Sequence, residues 1–186
     1  MVRHLVTLDR TNRTASFPAA VNLREETIEY VIVHKRGKAH ESLLRTEARP
    51  QDIHVAMLLL GARPAMTNTF GADGLGLPQG DGVIVEVSWT NQGASVRCPV
   101  EDLVQNKETK TTRARGQWIY NGSNFSEGSF TAERDGSIVS IHIDPDALIN
   151  NPWPGRENDD LYKPNTDKLP PIGTPVEIII RVLPAK

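Results

Sequence analysis

Apolar and polar positions alternate along most of this chain, in short runs punctuated by glycine, proline and asparagine, the pattern of half-buried β-strands. The expected strands are "HLVTLD" from residue 4, "TASFPAAVNL" from 14, "TIEYVIVH" from 27, "HESLLR" from 40, "GVIVEVSW" from 82 and "ASVRCPV" from 94. Later come "GQWIYNG", "EGSFTAE", "GSIVSIHI" and "PVEIIIRVL". In "GVIVEVSW" the period is clean: Val83, Val85, Val87 and Trp89 share one face, with Glu86 and Ser88 opposite. Pro18 pushes the second strand toward an edge or a bulge, because proline cannot donate to a ladder. The pattern predicts an α+β fold, predominantly antiparallel, as a sandwich or a barrel-like sheet.

One stretch breaks the alternation. In "RPQDIHVAMLLLG", Pro50 suits a first helical position, Asp52 the positive end of the dipole and Gly61 the residue just past the end. Residues 55–60 are apolar without interruption, which predicts a central helix over about 50–60, covered on nearly every side. Short helices are expected near 99–104 and near 145–150, the latter with Asp144 as its cap and Pro145 at its first position.

"VIVHKRGKAHESLL", residues 31–44, reads as a hairpin around "HKRG", with Gly37 left-handed and His34 paired to Lys38. That register places His34 and His40 on one face as neighbours. With Glu41, and a third or fourth donor from His54 or an acidic loop, they form a candidate divalent-metal site of a metal-assisted hydrolase. The plainer reading is two exposed histidines beside a cationic turn. Glu41 falls on the face of Val31, Val33 and Leu43, where a carboxylate is costly unless paired. It is therefore a catalytic candidate or a loop anchor that accepts backbone N–H groups or pairs Arg45 or Arg49. His54, on the helix, is a candidate base or a core histidine. "HES" lacks the second histidine of a zincin helix, and Ser42 lacks a nucleophile elbow.

Composition narrows the partners. Of 186 residues, 21 are Lys or Arg and 23 Asp or Glu, so the net charge of −2 offers no phosphate-tracking surface, and nucleic acid is not expected as a partner. The cationic stretch "KETKTTRAR" at 107–115 reads as a mobile surface loop. Cys98 is the single cysteine, which rules out an intrachain disulfide or a four-cysteine cluster, and it reads as a buried inert thiol. No apolar run is long enough for a membrane span, and "MVRHLVTLDR" has no signal-peptide core. No organic cofactor is predicted, since the glycines of "GADGLG" do not follow a dinucleotide fingerprint. Two long loops, 62–82 and 150–165, are candidate contacts for a partner protein or a small surface ligand. In the second, Trp153, Asp159, Asp160 and Tyr162 are candidate ligand-binding residues. The two aromatics serve equally as a plug folded back on the sheet.

The run "VIVHKRGKAHESLLRTEARPQDIHVAMLLLGARP", with its glycine turn, "HESLL" strand, proline-started helix and "LLLG" stop, resembles the YdjY-like domain family. "DPDALINNPWPG" and "LPPIGTPVEIII" resemble the same family's C-terminal pattern, so the likeness covers most of the chain as one domain, 1–186. The resemblance implies an exported or periplasmic bacterial domain whose signal peptide is missing ahead of Met1, with a cytoplasmic location the alternative. It supplies no catalytic residues. Some relatives have a ferredoxin-like association, which implies a structural accessory of an envelope redox system; here Cys98 alone cannot ligate such a cluster. The expected function is a non-enzymatic, extracytoplasmic binding or accessory module acting through loops 62–82 and 150–165.

Overall fold

The computed structural model describes residues 5–65, 70 and 76–184. In chain order the strands are β1 (Thr7–Asp9), β2 (Thr14–Val21), β3 (Tyr30–His34), β4 (Ser42–Thr46), β5 (Asp81–Asn91), β6 (Ala94–Pro99) and β7 (Val104–Asn106). They continue with β8 (Trp118–Tyr120), β9 (Phe125–Ser126), β10 (Ser129–Phe130), β11 (Ser137–Ser140), β12 (Ile149–Asn150), β13 (Tyr162–Pro164) and β14 (Pro175–Val182). Helix α1 spans Pro50–Leu59 and α2 spans Thr131–Asp135.

The principal sheet runs β2-β14-β5-β8-β12-β11-β3-β4 and returns to β2, so eight strands close into a barrel, with β1 and β6 attached outside the ring. Closure removes the open edges of the ring, and eight strands enclose a space that side chains fill. The period-2 pattern sets the filling. Phe17, Ile178 and Val87 stand in one row across β2, β14 and β5, and Ala15, Ile180 and Val85 in the next, all buried. The fold is thus the expected α+β, mostly antiparallel, barrel-like sheet.

Direction is where the expected hairpin fails. Strands β3 and β4 are parallel, with Tyr30 opposite Ser42 and His34 opposite Thr46. Residues 35–41 carry the chain back to the start of β3 through a turn and a 3-10 helix at Ala39–Glu41. Parallel neighbours usually need a longer crossover; here the return is made short by a backbone crossing. Gly37 lies against the end of α2, where a Cβ would meet the Asp135 carbonyl oxygen at 2.6 Å. Gly37 is therefore selected for close approach, and only Gly136, the left-handed cap of α2, has the positive φ (76°). All five residues of β3 are buried, as a near-continuous apolar run covered on both faces requires.

Three further expectations are corrected. Pro18 sits within the ring, not at its edge: β1 pairs with β2 as far as Ser16 and β4 takes over from Ala19, so the proline falls in the gap between two partners. Helix α1 begins and ends where expected but is not covered all round. Ile53, Ala56 and Met57 are buried on one stripe, while Val55, Leu58 and Leu59 are 47%, 45% and 54% exposed. "EGSFTAE" is not one strand. It forms the turn and second strand of the β9–β10 hairpin and then enters α2.

The expected helix at 145–150 is a turn followed by β12. Asp144 does cap, accepting the Asp146 N–H at 2.9 Å, but Asn150 is drawn into the sheet. Its amide donates to Asn121 Oδ1 (2.9 Å) and to the Asp144 carbonyl (2.7 Å), and its own Oδ1 accepts the Asp144 N–H (3.1 Å). The near-99 helix is present as a 3-10 turn, Val100–Leu103. No helix among the described residues is long and apolar enough to cross a membrane.

The glycine crossing is directly testable. Gly37→Ala is expected to cost about 1–3 kcal/mol of stability through overpacking against backbone, read from the urea midpoint. An unchanged midpoint would show that residues 35–41 do not depend on that contact.

Candidate functional site

A cleft of about 470 Å³ opens where β3 ends, between the two helices and the β9–β10 hairpin, lined by His34, Arg36, Gln51, Ser129, Phe130, Glu133 and Arg134. Gly136 also lines it, its carbonyl accepting the His34 N–H at 2.8 Å. Its walls are held by ion pairs. Glu133 accepts from Arg49 Nε at 2.9 Å and from the Gln51 backbone N–H at 3.1 Å, so it supplies the carboxylate that satisfies the start of α1. Arg134 is bound in a fork by the neighbouring Asp135, at 2.7 and 2.8 Å.

His34 is the sequence-predicted residue that lines this cleft. Its Nδ1 accepts the Arg36 backbone N–H at 3.3 Å, which leaves the proton of the neutral ring on Nε2. Burial, reinforced by the Arg36 charge, holds this imidazole below its ordinary 6.5, so the neutral form prevails at neutral pH. Arg36 has no carboxylate partner among the described residues.

The parallel pairing dissolves the face that was to unite His34 and His40. His40 lies exposed on the 3-10 turn, 3.7 Å from Glu41, while His34 is buried at the far end of β3. Among the described residues no group of three His, Cys, Asp or Glu side chains stands where it could hold a metal ion. Glu41 is half-buried and pairs with neither Arg45 nor Arg49; its basic neighbours are the His40 ring and, at 3.9 Å, Lys38.

Glu41 belongs to a second polar cluster that joins the two stretches carrying the family resemblance. Tyr30 receives a hydrogen bond from Lys38 Nζ and donates one to Asp144 Oδ2, both at 2.8 Å. Glu29 stands beside Glu41, and His142 Nδ1 is 4.0 Å from the Glu29 carboxylate. The Glu29 carbonyl also accepts the N–H groups of Ile141 and His142. This cluster fastens the 141–151 segment to β3.

His54 hydrogen-bonds the Tyr120 hydroxyl through Nδ1 at 2.7 Å and packs its ring against Phe130, 4.9 Å between centroids. Burial alone lowers its pKa. Trp153 and Tyr162 turn inward: Trp153 meets Trp118 edge-on at 5.1 Å, and the Arg113 guanidinium lies over both rings while donating to the Tyr162 hydroxyl. Asp160 is exposed and pairs with Lys107, and Asp159 is exposed. The 107–115 stretch is accordingly tied down at Lys107, Arg113 and Arg115, the last forked by Asp102 at 2.9 and 2.7 Å. Residues 66–69 and 71–75 of the 62–82 loop lie outside the described residues; its base is clamped by Arg63 and Asp81. Burial pushes the Cys98 thiol up to about 11, in keeping with an unreactive sulfur.

Sequence reasoning missed Arg36, Ser129, Phe130, Glu133 and Arg134 as lining residues. The signal available was the string "TAERDG", whose terminal glycine marks a short helix end. It also missed Glu101, a buried carboxylate that accepts the Gly116 N–H at 3.0 Å and lies beside the Trp118 indole; burial raises its pKa.

A closed, mostly antiparallel α+β barrel with a polar cleft at the junction of its two helices is the class that this fold and site define. The chain belongs to the YdjY domain family, whose model matches residues 6–181. No curated protein and no solved structure matches the chain.

The Glu29 cluster carries a pH dependence. Burial, and next the charge of Glu41, hold the Glu29 carboxyl above its ordinary 4.5. The folded protein binds that proton more tightly than the unfolded chain, so Glu29 loses stabilising effect as pH rises from the ordinary value through the raised one. Glu29→Gln removes the titration. Its stability relative to the native protein is expected to improve as pH rises from the ordinary carboxylate value of 4.5 through the raised one, measured as urea midpoints across a pH series. A difference independent of pH would contradict the raised carboxyl.

Proposed function

We propose that this YdjY domain is an extracytoplasmic binding module, without a reaction of its own, whose ligand site is the His34 cleft. The observation that carries the reading is the state of the cleft's charged walls. Glu133 and Arg134 are each locked in an ion pair that fixes the wall, whereas Arg36 has no carboxylate partner among the described residues and is held only through Nε, which donates to His34 Nδ1 at 3.5 Å. Preformed walls with a small number of convergent polar groups are what a small-molecule site needs, and about 470 Å³ is of the right size. The extracytoplasmic part of the proposal is supported by the family resemblance of the two motif stretches. The site moves away from the 150–165 loop because Trp153 and Tyr162 are spent on Arg113 and Trp118.

A fragment library followed by amide NMR tests the site. Binding fragments are expected to move the resonances of His34, Arg36, Gln51, Ser129 and Glu133 together, and Ser129→Trp, which fills the mouth, is expected to abolish those shifts with the rest of the spectrum retained. Fragments that perturb only other surfaces would overturn the proposal. For the compartment, fractionation of native cells is expected to recover the protein outside the cytoplasm; recovery with cytoplasmic markers would overturn that part.

A further inference from the structure

We infer that the cleft takes a small organic acid bearing a single carboxylate and a flat apolar body, an inference that rests on the binding-module reading above. Charge selects the head group. Around the cleft, Arg49 pairs with Glu133 at 2.9 Å, Arg134 with Asp135 at 2.7 Å and Lys35 with Glu47 at 2.7 Å. Of the charged residues that line the cleft, Glu133 and Arg134 are thereby matched, and Arg36 is the cation left without a carboxylate partner among the described residues. A monoanion neutralises it; a phosphate dianion would leave a second charge unmatched in a site partly removed from water.

Hydrogen bonding agrees with charge. Arg36 Nε donates to His34 Nδ1 at 3.5 Å, which leaves the two terminal NH2 groups of its guanidinium as a planar fork suited to a carboxylate. His34 contributes a neutral Nε2–H donor, because its Nδ1 is already occupied as an acceptor by the Arg36 backbone N–H. The Ser129 hydroxyl is a third polar group on the lining. These donors serve an oxygen pair and offer nothing to a cation.

Size and shape select the body. A cleft of about 470 Å³ is far larger than a bare inorganic anion requires, so the remaining space needs atoms of its own. Phe130 supplies the apolar wall. Its ring packs against His54 at 4.9 Å and against the 76%-exposed Phe125 at 5.1 Å, so an aromatic surface lies on the same lining as the donors. A planar ring or short unsaturated chain fits that surface by offset or edge contact.

Amide NMR titrations of the native protein with benzoate, benzamide, benzylamine and inorganic phosphate, repeated on Arg36→Gln, decide the matter. Benzoate is expected to shift the His34, Arg36 and Ser129 resonances saturably, with benzamide, benzylamine and phosphate weaker by about tenfold or more. Arg36→Gln is expected to weaken benzoate by a similar factor and to leave benzamide unchanged; Arg36 is exposed, so the variant should fold normally. If benzamide, benzylamine or phosphate matches benzoate, or if Arg36→Gln has no effect on benzoate, the ligand class is wrong while the binding site stands. If none of the four, and no library fragment, moves the cleft resonances, the binding-module reading falls as well.

Discussion

Two backbones touching without side chains between them set the terms for this molecule. Gly37 lies against Asp135 and Gly136 so closely that a single methyl group would meet a carbonyl oxygen at 2.6 Å. Because the chain turns there, residues 35–41 can double back along β3 and deliver β4 in the parallel direction. β4 then reaches β2 through the Ala19–Thr46 to Val21–Leu44 register, which closes the ring. The same contact seats the end of α2 beside His34 and so creates the cleft. Fold closure and site formation therefore depend on one contact, and a change that loosens it acts on both.

On the other side of β3 the structure is held by polar groups instead of apolar contact. Asn121, Asn150 and Asn151 are buried, and their amides are spent on one another and on backbone carbonyls. Tyr30 links this lattice to Lys38 through the Asp144 carboxylate. A buried polar network of this kind is stable when every member is matched, and it specifies the path of residues 141–153 more narrowly than an apolar core would. The asparagines of "LINNP" are thus structural in the chain as folded.

Some of this was legible in the residues. The period of Val83, Val85 and Val87 fixed β5 and its buried face, and Pro50 and Gly61 marked both ends of α1, because those signals are local. Direction was not legible at β3 and β4, since a period of two says which face a residue takes and nothing of which way the neighbour runs. Gly37 was ambiguous for a similar reason: a left-handed turn and a close approach both select glycine. α2 is five residues long, too short for a helical period to show. The apolar run in α1 overstated its burial, because uninterrupted apolarity does not say how many sides are covered. Of the candidate site, His34 was visible as a histidine but not as a cleft residue. Its companions come from segments near 51 and 129–136, and only the tertiary fold brings those together.

The asparagine lattice also bears on how the protein ages. Asn121 is followed by Gly122, the dipeptide most prone to spontaneous deamidation, in which the glycine nitrogen attacks the asparagine side-chain carbonyl to close a succinimide ring. Here the Gly122 N–H is committed to the Leu148 carbonyl at 3.0 Å, and the Asn121 amide is fixed between Asn150 and the Ala147 carbonyl, each at 2.9 Å. Attack requires both to let go. The barrel thus acts as a preservative for its own most labile bond, and the rate at which Asn121 turns into aspartate becomes a clock for how often this corner of the native structure opens.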